Sequence, residues 1–178
     1  LKGSNDQTLL ILSSDHKIDN EINFRKAVEH GLLHSNNGRI VTFGIIPNRP
    51  ETGYGYIESY KEISKEFEFS EIKKFIEKPD LSLAEELIKD KHYFWNSGIF
   101  LFKASTILKE MNKHAPEIVS ICEESVKKGS IDLDFFRIDK SNFENCPNIP
   151  IDIAVMEKTK LGSVLSLKAG WNDIGSWE

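Results

Sequence analysis

The 178-residue sequence has little of what marks a secreted, membrane-spanning or metal-stapled protein. Its two cysteines, Cys122 and Cys146, lie far apart and form no CxxC motif, so we interpret them as free thiols in a reducing cytoplasm. Unbroken apolar runs such as Leu9–Leu12 are much shorter than the roughly 18 residues that cross a bilayer. Leu1–Asn5 lacks the basic and apolar regions of a signal peptide. These absences predict a cytoplasmic protein with no membrane segment.

The sequence also lacks a basic stripe. It has 23 Lys and Arg against 28 Asp and Glu, a net charge of −5, and the two signs are interspersed along the chain. This pattern argues against a nucleic-acid-binding surface. With 39% hydrophobic residues, a chain of this length buries roughly 70% of its extended surface. This predicts one folded domain that needs no disulfide or metal ion for stability.

Periodicity at the start of the chain indicates an α/β fold. Gln7–Ser14 has the apolar pattern of a strand buried on both faces, and Arg39–Ile46 is a second β-branched run. Between them, apolar residues at helical spacing predict one face of a helix through Ile22–His34. The order strand, helix, strand predicts a βαβ unit, a mostly parallel sheet and flanking helices. Because the chain begins just before a buried strand, we expect a fragment that is incomplete at its N-terminus.

The rest of the chain continues this alternation. Pro47–Tyr56 contains two prolines and two glycines, which predicts a loop whose backbone approaches a ligand at Gly53 and Gly55. Ser82 is a candidate helix cap, and Ala169–Trp177 is predicted to be a loop. Further strands are expected at Ile57–Tyr60, Lys73–Glu77, Trp95–Phe102 and Ser163–Leu167, with two helices after Phe102 and a short one within Pro150–Lys158.

The common phosphate and hydrolase motifs GxxxxGK[ST], GxGxxG, GxSxG and HExxH are absent, so the candidates for chemistry are carboxylates and glycines in loops. Asp15 follows an apolar strand, and Asp173 lies in a loop after another, so both are expected at one sheet edge. Two such carboxylates can hold one Mg²⁺ ion and leave open positions for phosphates. Taken singly, an Asp after a strand is more often a turn or helix-capping residue than a metal ligand.

Two further segments allow a functional and a structural interpretation. Glu77, Lys78 and Pro79 end a strand, and a bend there would let Glu77 bind hydroxyls and Lys78 bind a phosphate; the alternative is a solvated strand end. Asn96-Ser97-Gly98 is either a turn or an amide directed at hydroxyls. His16 is interpreted as a residue that orients Asp15 or that takes part in the chemistry.

Six pieces in a fixed order carry a family resemblance that covers nearly the whole chain. The sequence resembles the mannose-1-phosphate guanylyltransferases of the sugar-nucleotidyltransferase superfamily, and the second and last pieces favour the mannose enzymes over their glucose relatives. The pieces are Ser13–His16 (SSDH), Pro50–Ile57 (PETGYGYI), Phe75–Pro79 (FIEKP), Trp95–Phe100 (WNSGIF), Pro150–Lys158 (PIDIAVMEK) and Gly170–Trp177 (GWNDIGSW).

The resemblance implies a Rossmann-like nucleotidyltransferase fold and a reaction in which GTP and mannose 1-phosphate give GDP-mannose and pyrophosphate. By motif, Asp15 and Asp173 would hold Mg²⁺, and Lys78 would meet the sugar phosphate. Glu77, Asn96 and the backbone of Gly55, with Gly53 in the same loop, would contact the sugar. Asp152 would approach the substrate or cap its helix, and Trp171 and Trp177 would shape the pocket or pack in the core.

One departure from the family pattern limits these implications. The Gly-rich signature loop of the family, with the Arg and Lys that grip the triphosphate, has no counterpart in residues 1–178. We therefore expect a partial catalytic domain that holds the sugar phosphate and makes no GDP-mannose alone. The alternatives are a sugar-phosphate-binding or regulatory module, a nucleotidyltransferase for another hexose 1-phosphate, and a phosphohydrolase that uses Asp15, His16 and Asp173. An exposed apolar sheet edge would favour assembly into a homo-oligomer.

Overall fold

The computed structural model describes residues 6–174 of the chain. Contacts divide the protein into two compact units, the first formed by residues 1–106 and 160–178 and the second by residues 107–159. This division by contacts does not test whether the chain folds as the single domain that its composition predicts, so that expectation stays a prediction. Trp177 lies outside the described residues. None of the helices within residues 6–174 has the length and apolar character needed to cross a membrane.

Strands and helices alternate along the chain in the way that the sequence patterns predict. The strands are β1 (Thr8–Ile11), β2 (Lys17–Ile18), β3 (Ile40–Ile45), β4 (Tyr56–Ser59), β5 (Phe69–Ile76), β6 (Tyr93–Lys103), β7 (Ser130–Asp132), β8 (Phe135–Arg137), β9 (Gly162–Ser166) and β10 (Trp171–Asn172). The helices are α1 (Glu21–Asn36), α2 (Leu81–Leu87), α3 (Ala104–His114), α4 (Pro116–Lys127), α5 (Lys140–Phe143) and a π-helical segment, Asp152–Met156.

The first unit is built on a six-stranded sheet with the order β1-β6-β3-β9-β5-β4, and β4 also pairs with β6. The sheet is mixed: β3 and β9 are parallel, whereas the other pairings are antiparallel. The α/β class is confirmed, but the prediction of a mostly parallel sheet is wrong. β1 and β3 do run in the same direction, as a βαβ unit requires, but β6 lies between them and runs opposite to both. Local periodicity identifies strands but carries no information about which distant strand inserts between two neighbours.

Helix α1 packs on this sheet through the face that the apolar spacing predicts. The Asn20 side chain caps the helix by accepting a hydrogen bond from the Asn23 N–H (3.0 Å). Ala27 and Gly31 are buried, and a Cβ at Gly31 would lie 2.9 Å from Leu101 Cδ2, so glycine permits the close approach of α1 to β6. The helix covers a core formed by residues of β3, β6, β9 and the segment after β9: Val41, Phe43, Ile99, Leu101, Leu165 and Leu167.

Three local predictions need correction. β1 is only half-buried, because it is the first strand in the sheet order and pairs on one side with β6. Helix α2 is capped by Asp80, which accepts a hydrogen bond from the Leu83 N–H (2.8 Å), and not by Ser82. The predicted loop Ala169–Trp177 contains strand β10, which pairs with β2 in a separate two-stranded ladder.

The second unit is helical except for one hairpin. Helix α4 is one of the two helices predicted after Phe102, and it begins at Pro116 because proline suits the first helical position. The stretch between α4 and the π-helix, for which the sequence analysis predicts no element, holds the β7–β8 hairpin and the short helix α5. The predicted short helix within Pro150–Lys158 is the π-helical segment.

Candidate active site

Gly55, Glu77 and Asn96 converge although they lie in three separate parts of the sequence. A Cβ at Gly55 would lie 2.9 Å from Glu77 Oε2 and 3.6 Å from Asn96 Cβ, so these groups surround the glycine backbone. The Asn96 N–H donates a hydrogen bond to the Gly55 carbonyl oxygen (2.8 Å), which ties the loop before β4 to β6. The arrangement places a carboxylate, an amide side chain and the backbone of a buried glycine next to one another, a set of groups suited to one small polar ligand.

Asn96 is held by a bulge in β6. The pairing of β3 with β6 shifts between Thr42 and Gly44, and Gly98 has a φ of +68°, a left-handed conformation that glycine adopts readily. The Asn96 Oδ1 atom accepts hydrogen bonds from Thr42 Oγ1 (2.9 Å) and from the Gly98 N–H (3.3 Å). Because the carbonyl end of the amide is used in this way, Nδ2 is the end that can donate to a hydroxyl group.

A bend after β5 places Lys78 beside Glu77, as the functional interpretation of that segment requires. Lys78 has a φ of +42°, a left-handed conformation that costs a non-glycine residue of order 1 kcal/mol. Its Nζ atom lies 3.6 Å from Glu77 Oε1. Lys78 itself therefore makes the turn, in addition to the Pro79 that follows it. The positive charge lies at the edge of the Gly55, Glu77 and Asn96 cluster.

Asp173 is oriented by a tyrosine that the sequence analysis did not select. The Tyr54 hydroxyl donates a hydrogen bond to Asp173 Oδ1 (2.9 Å). Burial, followed by this bond to a carboxylate, raises the pKa of Tyr54 to about 12, so the hydroxyl stays protonated and remains a donor. The Tyr54 ring makes edge contacts with Trp95 and Trp171, with ring centroids 5.2 and 5.3 Å apart.

The β2–β10 ladder brings the segments that carry Asp15 and Asp173 side by side. Trp171 pairs with Ile18 and Asn172 with Lys17, in antiparallel register, so the residues just before β2 face those just after β10. His16 accepts a hydrogen bond at Nδ1 from Trp171 Nε1 (3.2 Å), which orients the imidazole next to Asp15. Asp15 itself is exposed in the turn before β2.

Two carboxylates are the kind of donor set that a magnesium ion takes in phosphoryl transfer. Within residues 6–174, no group of three or more His, Cys, Asp or Glu side chains is arranged to hold a metal. Mg²⁺ needs no such cage, since one or two carboxylates, substrate phosphates and water complete its coordination. The magnesium assignment of Asp15 and Asp173 remains a prediction.

Two cavities of the first unit meet at Tyr54 and Arg49. The larger, about 640 Å³, is lined by Tyr54, Trp95 and Trp171, and the Arg49 guanidinium lies 5.6 Å from the Trp95 ring centroid. The smaller, about 350 Å³, is lined by Gly53, Asp173 and neighbouring residues. Since Trp95 and Asn96 are successive strand residues, their side chains point to opposite faces, and Asn96 lines neither cavity.

The remaining predicted residues are Gly53 and Asp152. The Gly53 N–H donates to Glu51 Oε1 (3.3 Å), and that carboxylate also pairs with Arg49 (Nε to Oε2, 3.1 Å). Asp152 belongs to the second unit and lies in the first turn of the π-helical segment, where Ile151 occupies the capping position. The prediction that Asp152 caps its helix is therefore wrong, because Asp152 is already inside the first turn. Its approach to the substrate and the role of Gly53 stay predictions.

Tyr54 and Thr42 are the residues of this site that sequence reasoning missed. Tyr54 lies between two glycines in the sequence TGYG, a context that marks a loop but not the distant aspartate that it contacts. Thr42 lies inside a buried apolar strand, and its hydroxyl is used by Asn96 only because β3 and β6 are neighbours.

The first unit thus gathers carboxylates, an amide and a lysine on the strands and loops of one α/β fold, an arrangement suited to holding a sugar and phosphates. The comparison with protein families agrees: residues 1–178 match the family described as nucleotidyl transferase, and the chain belongs to that family. It is 47% identical to a mannose-1-phosphate guanylyltransferase of Salmonella typhimurium over 172 residues, which cover 97% of this chain and 36% of that protein. It is 43% identical to the Escherichia coli mannose-1-phosphate guanylyltransferase over 171 residues, 95% of this chain and 37% of that protein. The resemblance identified from the six sequence pieces is confirmed.

Solved structures give the same fold. A Helicobacter pylori structure described as mannose-6-phosphate isomerase matches with a TM-score of 0.85 at 30% identity, over 96% of this chain and 65% of that one. A Thermus thermophilus structure described as mannose-1-phosphate geranyltransferase matches with a TM-score of 0.81 at 31% identity, over 96% of this chain and 47% of that one. The nucleotidyltransferase fold is thereby confirmed. The chain spans 36–38% of the length of the curated relatives considered first.

Proposed function

We propose that this chain supplies the sugar-phosphate site of a mannose-1-phosphate guanylyltransferase. The reaction transfers GMP from GTP to mannose 1-phosphate and gives GDP-mannose and pyrophosphate. The observation that carries the proposal is the convergence of Gly55, Glu77 and Asn96, with Lys78 beside them, in a member of the nucleotidyl transferase family.

Each of these residues has a role that its geometry supports. The Glu77 carboxylate and the Asn96 amide are placed to bind the sugar hydroxyls, and the Gly55 N–H adds a backbone donor. Lys78 offers a positive charge to the sugar phosphate. A phosphate oxygen of mannose 1-phosphate then forms a bond to the α-phosphorus of GTP, while the bond from that phosphorus to the pyrophosphate oxygen breaks. Such a step depends on alignment and charge neutralisation more than on proton transfer.

Asp15 and Asp173 are the residues that would hold magnesium. When bound, Mg²⁺ would neutralise phosphate charge and help align the phosphoryl groups. Tyr54 restricts the orientation of the Asp173 carboxylate, and Trp171 restricts His16 beside Asp15. The Asp173 carboxylate is thus oriented by a neutral hydrogen-bond donor, which does not compete with the ion for charge.

The other candidate functions have less support. One structural neighbour is described as a mannose-6-phosphate isomerase, but every residue of this chain falls within the nucleotidyl transferase match, so we assign these residues to nucleotidyl transfer. A binding module without transfer activity, or an enzyme for another hexose 1-phosphate, would use the same sugar contacts. Competition between sugar phosphates distinguishes the second of these from the mannose enzyme.

We place this reaction in the cytoplasm, the reducing compartment in which Cys122 and Cys146 would remain thiols, as they are in the structure. We also propose self-association through β1. This strand is at one end of the sheet order, and Ile11 in it is 45% exposed, so a second strand can pair there.

Calorimetric titration of the chain with mannose 1-phosphate in magnesium buffer tests the sugar-site proposal. We expect saturable binding that Glu77→Gln weakens by about 10- to 150-fold, because a hydrogen bond to a charged acceptor contributes about 1.5–3 kcal/mol. Glu85→Gln, which removes an exposed charge from α2, is the matched control and should bind normally. Equal affinity in all three proteins would contradict the assignment of Glu77, and glucose 1-phosphate binding as tightly as the mannose compound would contradict the sugar assignment.

A further inference from the structure

The second unit brings its two cysteines together. Cys122 lies on α4, whereas Cys146 follows α5, and both are half-buried free thiols. Helices α4 and α5 pack against each other. Neither residue takes part in the site described above, so this feature is independent of the proposed function.

The backbone of the segment around α5 is fixed against one face of α4. The Asp139 N–H donates to the Ser125 carbonyl oxygen (2.9 Å), and Ser125 is fully buried. Cys122 is three residues before Ser125, so it lies on the same face of α4, one turn earlier. The segment that begins at Asp139 therefore contacts α4 on the face that carries Cys122.

Cys146 is held in an ordered turn at the other end of that segment. Asp139 caps α5 by accepting a hydrogen bond from the Asn142 N–H (2.9 Å). After α5, the Cys146 N–H donates to the Phe143 carbonyl oxygen (2.9 Å), so the chain continues to coil toward Cys146. The position of the second cysteine is therefore set by the same local structure that anchors Asp139 to α4.

The two thiol groups interact with each other. Burial, followed by the charge of Cys146 and a thiol hydrogen bond with it, raises the pKa of Cys122. Within residues 6–174, no cluster of three or more His, Cys, Asp or Glu groups surrounds them, so the pair has no partners with which to form a metal site.

We propose that Cys122 and Cys146 form a reversible disulfide, a modification site in which the oxidant is a small disulfide of the glutathione type. Half-burial leaves both thiols open to such a molecule. The packing of α4 against α5 keeps the segments that carry them together. Disulfides of this kind in cytoplasmic proteins are transient and redox-dependent, which agrees with two thiols that are free in the reduced chain.

The chemistry is a two-step thiol–disulfide exchange. Burial makes the Cys122 thiolate harder to form than that of an ordinary cysteine, so we assign the first step to Cys146, which attacks the small disulfide and releases one thiol. The Cys122 thiolate then attacks the Cys146 sulfur, forms the Cys122–Cys146 bond and releases the second thiol. The two protein thiols lose two protons and two electrons, and the small disulfide gains both.

Mass spectrometry after oxidation tests the site. The reduced chain is incubated with excess glutathione disulfide in native buffer and in denaturing urea, the remaining thiols are alkylated, and the protein is digested. We expect a peptide pair linked through Cys122 and Cys146, formed at least about tenfold faster in native buffer and removed by dithiothreitol, because the fold converts a distant pair into neighbours. Equal rates in urea and native buffer, or glutathione adducts that persist in the native protein without a crosslink, would overturn the proposal.

Single substitutions test the order of attack. Cys122→Ser should accumulate a stable glutathione adduct on Cys146, since the resolving thiol is missing. Cys146→Ser should react more slowly, at Cys122, because burial makes the Cys122 thiolate harder to form. Far-ultraviolet circular dichroism of both variants establishes that they fold. A faster reaction at Cys122 than at Cys146 in folded variants would overturn the assigned order.

Discussion

Replacing Gly55 by alanine separates the geometry of the sugar site from the stability of the fold. The new Cβ would lie 2.9 Å from Glu77 Oε2 and 3.2 Å from Phe75 Cε1. The carboxylate oxygen is the far end of a flexible side chain, so it can move away at small cost to stability, and the φ of Gly55 is not in the left-handed region. We expect the free energy of unfolding to fall by less than about 1 kcal/mol.

Binding of mannose 1-phosphate should suffer far more than stability does. Displacing Glu77 removes a hydrogen bond to a charged acceptor, about 1.5–3 kcal/mol, and predicts affinity about 10- to 150-fold weaker. If the loss acts through Glu77, Gly55→Ala should have little further effect in a Glu77→Ala background, where there is no carboxylate to displace. Titration calorimetry of the four proteins gives the coupling energy. Fully additive losses would refute the claim that Gly55 acts by making room for Glu77.

Three further predictions concern the metal, the activity and the pH dependence of folding. In the longer protein that carries this chain, Asp173→Asn should collapse guanylyl transfer while thermal unfolding changes little; activity within about threefold of the unmodified enzyme would speak against a metal role. Residues 1–178 alone should release no pyrophosphate from GTP, mannose 1-phosphate and Mg²⁺, because the Gly-rich triphosphate loop is not among them, and turnover of about 1 per second or faster would contradict this. Burial and the nearby His30 and Arg39 charges lower the pKa of His34 from 6.5. The His34 ring stacks on the Phe69 ring, with ring centroids 3.7 Å apart. The unfolded state then binds a proton at His34 more readily than the folded state does. The contribution of neutral His34 to the free energy of unfolding is therefore complete above pH 6.5 and is lost as pH falls through the lowered folded-state pKa. Urea unfolding across this range should show a smaller pH dependence in His34→Gln; an identical dependence would rule out this origin.

Much of the fold and of the site can be predicted from local sequence. Apolar spacing located α1, β3, β6 and β9 within a few residues, because each buries one face or both against the same core. The proline- and glycine-rich stretch after β3 is a loop for reasons of backbone geometry alone. Motif order was sufficient to select the family, which the comparisons with its relatives bear out.

Tertiary structure decided what depends on distant pairing. The antiparallel insertion of β6 between β1 and β3 could not be read from periodicity, since a strand has the same pattern in either direction. The contact of Tyr54 with Asp173, the anchoring of Asn96 by Thr42 and the approach of Cys122 to Cys146 each join residues whose local sequences contain no sign of the partner. Local sequence determines which backbone a segment adopts and which side chains it offers. Which of those side chains meet is determined by strand order and helix packing, because only the assembled sheet and its helices bring chemically suited but distant groups within hydrogen-bond distance.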